Sequence, residues 1–191
     1  MEGHMAISAV ERKEAFVRAT EEELRSLEGR GVCMVGNAFA PIVMVKGDLN
    51  AAELAGSELL SGPDGRALRS ALDAIGYAPE DFCALAAVSV REGLASPLDP
   101  DLFREALEAL DPEAVLVLDE TAADVVREAY ADALVVIEDF ETAMLAPGLV
   151  APVLGRRLMV LDGFEAALSD PQEKRRMWSY IKRIGPAGEP Y

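Results

Sequence analysis

Apolar and polar positions along this chain switch period repeatedly, and the switches alternate. From Val10 to Leu27, residues Ala15, Phe16, Ala19, Leu24 and Leu27 recur among Glu, Arg and Lys, the stripe of a solvent-facing helix ended by Gly29-Arg30-Gly31. Val32 to Val35 is a short apolar run closed by Gly36-Asn37. Phe39-Ala40-Pro41 leads from there into a second run, Ile42 to Lys46, and a small hairpin or an edge pairing is expected in this region. Residues 51–60 are apolar but irregular, and Ser61 to Gly65 reads as a turn before a helix over Arg66 to Ile75. The core face of that helix is Leu68, Ala71, Leu72 and Ile75, and Gly76 caps its end. Phe82 to Val90 predicts a second buried strand. Asp99-Pro100 opens a helix with Leu102, Phe103, Ala106, Leu107 and Leu110 on one face, and Asp111-Pro112 stops it. A third strand over Ala114 to Leu118, a helix Ala122 to Tyr130 capped by Thr121, and a fourth strand over Ala133 to Ile137 follow. Arg157 to Leu161 predicts a fifth strand, and Asp170-Pro171 starts a helix to Ile184.

Strands alternating with helices predict a three-layer α/β/α sandwich with a mostly parallel central sheet, as one domain over residues 1–191. Residues 1–30 form its N-terminal helical segment and residues 185–191 a polar tail. Ile42-Val43-Met44-Val45-Lys46-Gly47-Asp48 is its centre, an apolar run that delivers an acid to a loop. Ligands of open α/β sheets bind at the carboxyl edge of the strands, so Asp48 is the first candidate for chemistry.

Composition narrows the function classes. The chain carries 18 basic and 34 acidic residues, a net charge of −16, which repels a polyanion except at a local basic patch. No apolar run is long enough for a membrane span, and the first 30 residues lack the pattern of a secretory signal, so a cytoplasmic protein with no membrane partner is expected. Cys33 and Cys83 lie in apolar runs and are expected to be buried thiols rather than a bridge. The only histidine, His4, lies in Met1-Glu2-Gly3-His4-Met5, which has the look of an expression remnant, so no histidine chemistry is expected in the folded body.

Several strings, in order, resemble the uracil-DNA glycosylase superfamily, nearest its family 4 branch. Ala74 to Asp81 (AIGYAPED) is similar to that family's helix end and the turn into its next strand. Leu107 to Ala123 (LEALDPEAVLVLDETAA) resembles its helix, strand and LG-x-TAA turn, with Asp119 and Glu120 where Gly and Arg are usual. Leu168 through Asp170-Pro171 and Lys174-Arg175 to Trp178, Ile181 and Lys182 is similar to its closing helix. The resemblance runs from about Gly31 to Ile184 and implies the family's fold. It also implies a catalytic acid at Asp48, within Gly47-Asp48-Leu49-Asn50, where the family reads GEAPG. At the other pocket positions the chain departs from the pattern. The stacking aromatic falls near Leu59 or Leu60, the base-reading asparagine on Ala86, and the histidine that stabilises the leaving base on Gly163. Two cysteines cannot supply the family's four iron-sulfur ligands, so no cofactor and no metal are expected.

Other residues carry weaker signals. Asp162 ends its strand and could converge with Asp48 as a carboxylate pair for acid/base work or a hard cation. Asp119 and Glu120 add negative charge to the same edge. Asn37 and Asn50 read either as ligand contacts or as turn residues, and Gly62-Pro63-Asp64-Gly65 lacks the residues of a phosphate-binding loop and reads as a turn. Lys174, Arg175, Arg176, Lys182 and Arg183, with Arg156 and Arg157 nearby in sequence, form the one basic patch. Trp178 and Tyr180 within it match a stacking surface for single- or double-stranded DNA, or else a helix with solvated charges. The expected function is a degenerate glycosylase-like protein that binds or scaffolds without excising uracil, its small-molecule or protein partner left open. The alternative is a divergent DNA glycosylase or hydrolase in which Asp48 positions a water.

Overall fold

The computed structural model describes residues 9–188, so His4, the question of residues 1–5 and the last three residues of the tail lie outside the described residues. Six strands form one sheet in the order β1-β3-β2-β6-β8-β7. They are β1 (Met34–Gly36), β2 (Ile42–Lys46), β3 (Cys83–Ala86), β6 (Ala114–Val117), β7 (Val150–Val153) and β8 (Arg156–Val160). The four inner strands β3, β2, β6 and β8 are parallel, and the edge strands β1 and β7 pair antiparallel to β3 and β8. A separate hairpin joins β4 (Val88–Arg91) to β5 (Leu94–Pro97).

Every residue of β2, β3 and β6 is buried, as two covered faces require. Alternation along the strands divides their side chains between two cores. Val43, Val45, Leu85, Val115, Val117 and Leu158 pack with α4 (Pro100–Leu110) and α5 (Glu120–Ala129). Leu27, near the end of α1 (Ala9–Gly29), joins the same core. Ile42, Met44, Ala84, Leu116 and Met159 face α3 (Pro63–Ala74), α8 (Phe164–Ala167) and α9 (Pro171–Ile181) on the other side. The chain is therefore an α/β protein whose mostly parallel sheet is flanked by helices on both faces.

Local chemistry explains the helix starts. Asp99 and Asp170 each accept two backbone N–H bonds ahead of a proline in the first turn of their helices. Asp119, rather than Thr121, caps α5, because its carboxylate reaches the Ala122 amide at 2.9 Å. Two further expectations are corrected. Residues 133–137 make no strand; the chain turns through α6 (Ala131–Leu134), and Val135 and Val136 stand exposed. The run Phe82 to Val90 is two strands, since β4 leaves the sheet for a hairpin whose turn uses Glu92 and Gly93 at positive φ. Of the two arrangements expected for the first short run, the edge pairing is the one observed: β1 pairs with β3 at the margin of the sheet and makes no hairpin with β2. Cys83 is buried as expected, but Cys33 is exposed.

Candidate functional site

The chain passes from β2 to β3 on one side and then crosses back to place β6 on the other. The turns after β2 and β6 thus part at a topological switch point, where an open α/β sheet leaves a crevice. A cleft of about 370 Å³ lies there, lined by Lys46, Asp48, Leu49 and Asn50 after β2, Asp64 of α3, Leu118 and Asp119 after β6, and 163–166 at α8.

Two devices shape it. The first ties the turns together. Asp119 accepts the Gly47 amide at 2.9 Å through Oδ2 and the Ala122 amide at 2.9 Å through Oδ1. Gly47 must be glycine, because a Cβ there would stand 2.5 Å from the Ala122 nitrogen and 2.8 Å from Asp119 Oδ1. Burial pushes the Asp119 carboxyl above its usual range, opposed by these backbone donors. The second device is a caged ammonium. Lys46, the last residue of β2, places Nζ 2.8 Å from Glu53 Oε2, 2.6 Å from Asp64 Oδ2 and 2.7 Å from Glu165 Oε2. The Lys46 side chain is 2% exposed, and those of Glu53 and Asp64 are 3% and 1%. Burial alone would lower its pKa; the hydrogen bonds it donates to Asp64 and Glu165 and the charge of Glu53 beside it more than reverse this and keep it charged well above the ordinary lysine range.

The cage is built locally. Asn50 caps α2 (Ala51–Leu54), accepting the Ala52 and Glu53 amides, while the Glu53 carboxylate accepts the Asn50 amide at 2.9 Å and the Leu60 amide at 2.8 Å. Leu60 takes a positive φ and its carbonyl lies over Gly65, where a Cβ would come within 1.6 Å of that oxygen. The tight turn delivers Asp64, in the first turn of α3, to Lys46. Gly163 enters α8 at φ 74°, which suits glycine, and Glu165 follows it into the cage.

Asp48, Gly163 and Asn50 are brought together at this cleft, with Gly47 backing it. Asp48 is exposed and its Oδ1 accepts the Thr121 hydroxyl at 2.5 Å. Asn50 is a turn residue that also faces the cleft, its Nδ2 donating to Glu165 at 3.3 Å. Leu59 and Ala86 do not reach this site. They line a separate depression of about 420 Å³ with Cys33, Val88 and Val90, and Leu49 borders both. Leu60 is core at 1% exposure. Asp162 does not line the cleft and meets Arg176 at 3.3 Å instead of pairing with Asp48. Lys46, Glu53, Asp64 and Glu165 are the residues that sequence reasoning missed. A lysine ending a wholly apolar strand was the available signal, since so buried a cation demands paired acids.

Lys174 and Arg175 on α9, and Lys182 and Arg183 just after it, are exposed. Arg176 is half-buried between Asp162 and Glu173, Lys182 lies 5.9 Å from the Trp178 ring centroid, and Arg183 donates to the Gly148 carbonyl at 3.1 Å. Arg156 and Arg157 do not extend this patch. Arg156 is held by Glu108 and Asp111, both at 2.8 Å, and Arg157 donates to the Gly185 carbonyl at 2.7 Å. The chain matches no protein-family model and no curated protein.

Proposed function

We propose that this chain is a small-ligand binding protein on a uracil-DNA glycosylase-like scaffold and that it does not excise uracil. The observation that carries this reading is the donor inventory of the cleft. Excision needs hydrogen-bond donors where negative charge grows on the departing base, and losing one such donor costs roughly 3–4 kcal/mol. Here the one cation among the described lining residues, Lys46, is already paired with three carboxylates, and Gly163 stands where the resemblance puts a histidine. A uracil anion would leave into a cleft lined by Asp48, Asp64, Asp119 and Glu165. What supports the scaffold reading is the mostly parallel sheet flanked by helices, as the resemblance implies, and the strings that resemble the family.

One observation favours a second reading, a divergent glycosylase. The Thr121 hydroxyl orients the exposed Asp48 carboxylate at the cleft, as an acid that positions water would require. Single-turnover excision of uracil from single- and double-stranded DNA, with protein in large excess at low salt, separates the two. No alkali-labile strand breaks are expected from the native protein or from Asp48→Asn. Breaks that appear with the native protein and vanish in Asp48→Asn would overturn the binding-protein reading.

A further inference from the structure

Resting on the binding-protein reading, we infer that the cleft takes a small, flat organic cation of the amidinium or guanidinium class. Hydrogen-bond accounting leads there. Lys46 donates to Asp64 and Glu165 and forms an ion pair with Glu53 at 2.8 Å, so its charge is already matched by three carboxylates. Asn50 spends its Oδ1 on two backbone amides and donates through Nδ2 to Glu165, and the Thr121 hydroxyl is spent on Asp48. The acceptors are in surplus. Asp64 Oδ1 has no hydrogen-bond partner among the described residues, although Asp64 is 1% exposed and lines the cleft. A Cβ at Gly62 would stand 3.0 Å from this oxygen, so a larger residue at that position would crowd it. Asp48 and Glu165 are exposed enough to meet an incoming group.

Such a lining disfavours an anion or a carbonyl-rich edge and favours a group that brings positive charge and several N–H donors. A planar fork of N–H groups matches carboxylates bidentately, which a compact ammonium does not. Leu49, Leu118, Phe164 and Ala166 supply apolar wall for a flat body. At about 370 Å³ the cleft is near the lower end of the roughly 300–1,000 Å³ of small-molecule sites, the size for one ring and its charged group.

Benzamidinium and benzamide test the inference, because they share shape and differ in charge and donors. Binding to the full chain is measured by calorimetry at pH 7.5, with uracil as a third probe and the excision assay run in parallel. Benzamidinium is expected to bind at least 10-fold more tightly than benzamide or uracil, and Asp48→Asn with Glu165→Gln to weaken it at least 10-fold. The same double variant should keep its native circular dichroism spectrum. Equal affinity for benzamide, binding indifferent to the double variant, or no benzamidinium binding at millimolar concentration would each overturn the ligand class. Uracil excision in the parallel assay would overturn the binding-protein reading itself, a separate result.

Discussion

Replacing Lys46 by methionine nearly keeps the side chain's length and removes the charge at the centre of the cage. Glu165, with its side chain 41% exposed, can turn back to water. Glu53 and Asp64, at 3% and 1%, cannot, so the variant leaves two buried carboxylates without their counter-charge. Removing one partner of a buried ion pair costs about 3–5 kcal/mol. Protonation sets the ceiling. Neutralising an ordinary carboxyl of pKa about 4 at pH 7.5 costs about 5 kcal/mol, so the penalty per acid cannot exceed that before the folded protein takes up a proton. In the variant, burial without the ammonium favours the neutral form of these acids, so the folded state binds more protons than the unfolded chain. Its stability rises as pH falls, by up to about 1.4 kcal/mol per pH unit for each acid. Urea unfolding followed by circular dichroism at pH 7.5, 6.5 and 5.5 should show a loss of about 3–5 kcal/mol at the highest pH that shrinks steadily toward the lowest. Adding Glu53→Gln and Asp64→Leu to Lys46→Met should recover most of the loss, because no buried charge then lacks a partner. A loss below about 1 kcal/mol at pH 7.5, or one independent of pH, would refute the reasoning.

Three other predictions concern the turn and the two thiols. Gly47→Ala drives a methyl group into the Ala122 amide and the Asp119 carboxylate and should cost about 2–3 kcal/mol in urea unfolding through overpacking and a damaged cap. Gly29→Ala, whose Cβ meets nothing within 4 Å, should be near neutral, and equal losses for both would refute the close-approach argument. Burial pushes the Cys83 thiol up to about 12 from 9.0, so stability present below pH 9 is lost as pH rises toward 12. From pH 8 to 10.5 this group should account for about 2 kcal/mol of lost stability at about 1.4 kcal/mol per unit, and Cys83→Ala should remove that share. An alkaline loss unchanged in Cys83→Ala would refute it. A thiol reagent should label the exposed Cys33 in the native protein and Cys83 only on unfolding.

Elements that announce themselves through short-range chemistry were legible before any coordinates. The apolar runs of β2, β6 and β8 are long enough to need two covered faces, and Asp99-Pro100 and Asp170-Pro171 carry their own caps. Asp48 followed from the same logic, since a strand's end places the next residue at the carboxyl edge whatever the rest of the chain does. Residues 133–137 show where that logic fails. Their apolar β-branched residues match a strand, yet the six-stranded sheet holds no place for them, and they form the end of α6 and an exposed turn.

Sequence alone therefore determined the alternation of strands and helices, the buried centre around β2 and the acid that follows it. Only the tertiary structure decided which charges meet. Lys46 and Glu165 are 119 positions apart and Asp119 and Gly47 are 72 apart, separations over which no periodicity reports a partner. The strand order alone brings the turns after β2, β6 and β8 to one edge, and the tight turn at Leu60 and Gly65 swings Asp64 underneath. Burial then makes pairing obligatory, because an ammonium removed from water is stable only among acids. That requirement converts a lysine at a strand's end into the organising charge of the cleft.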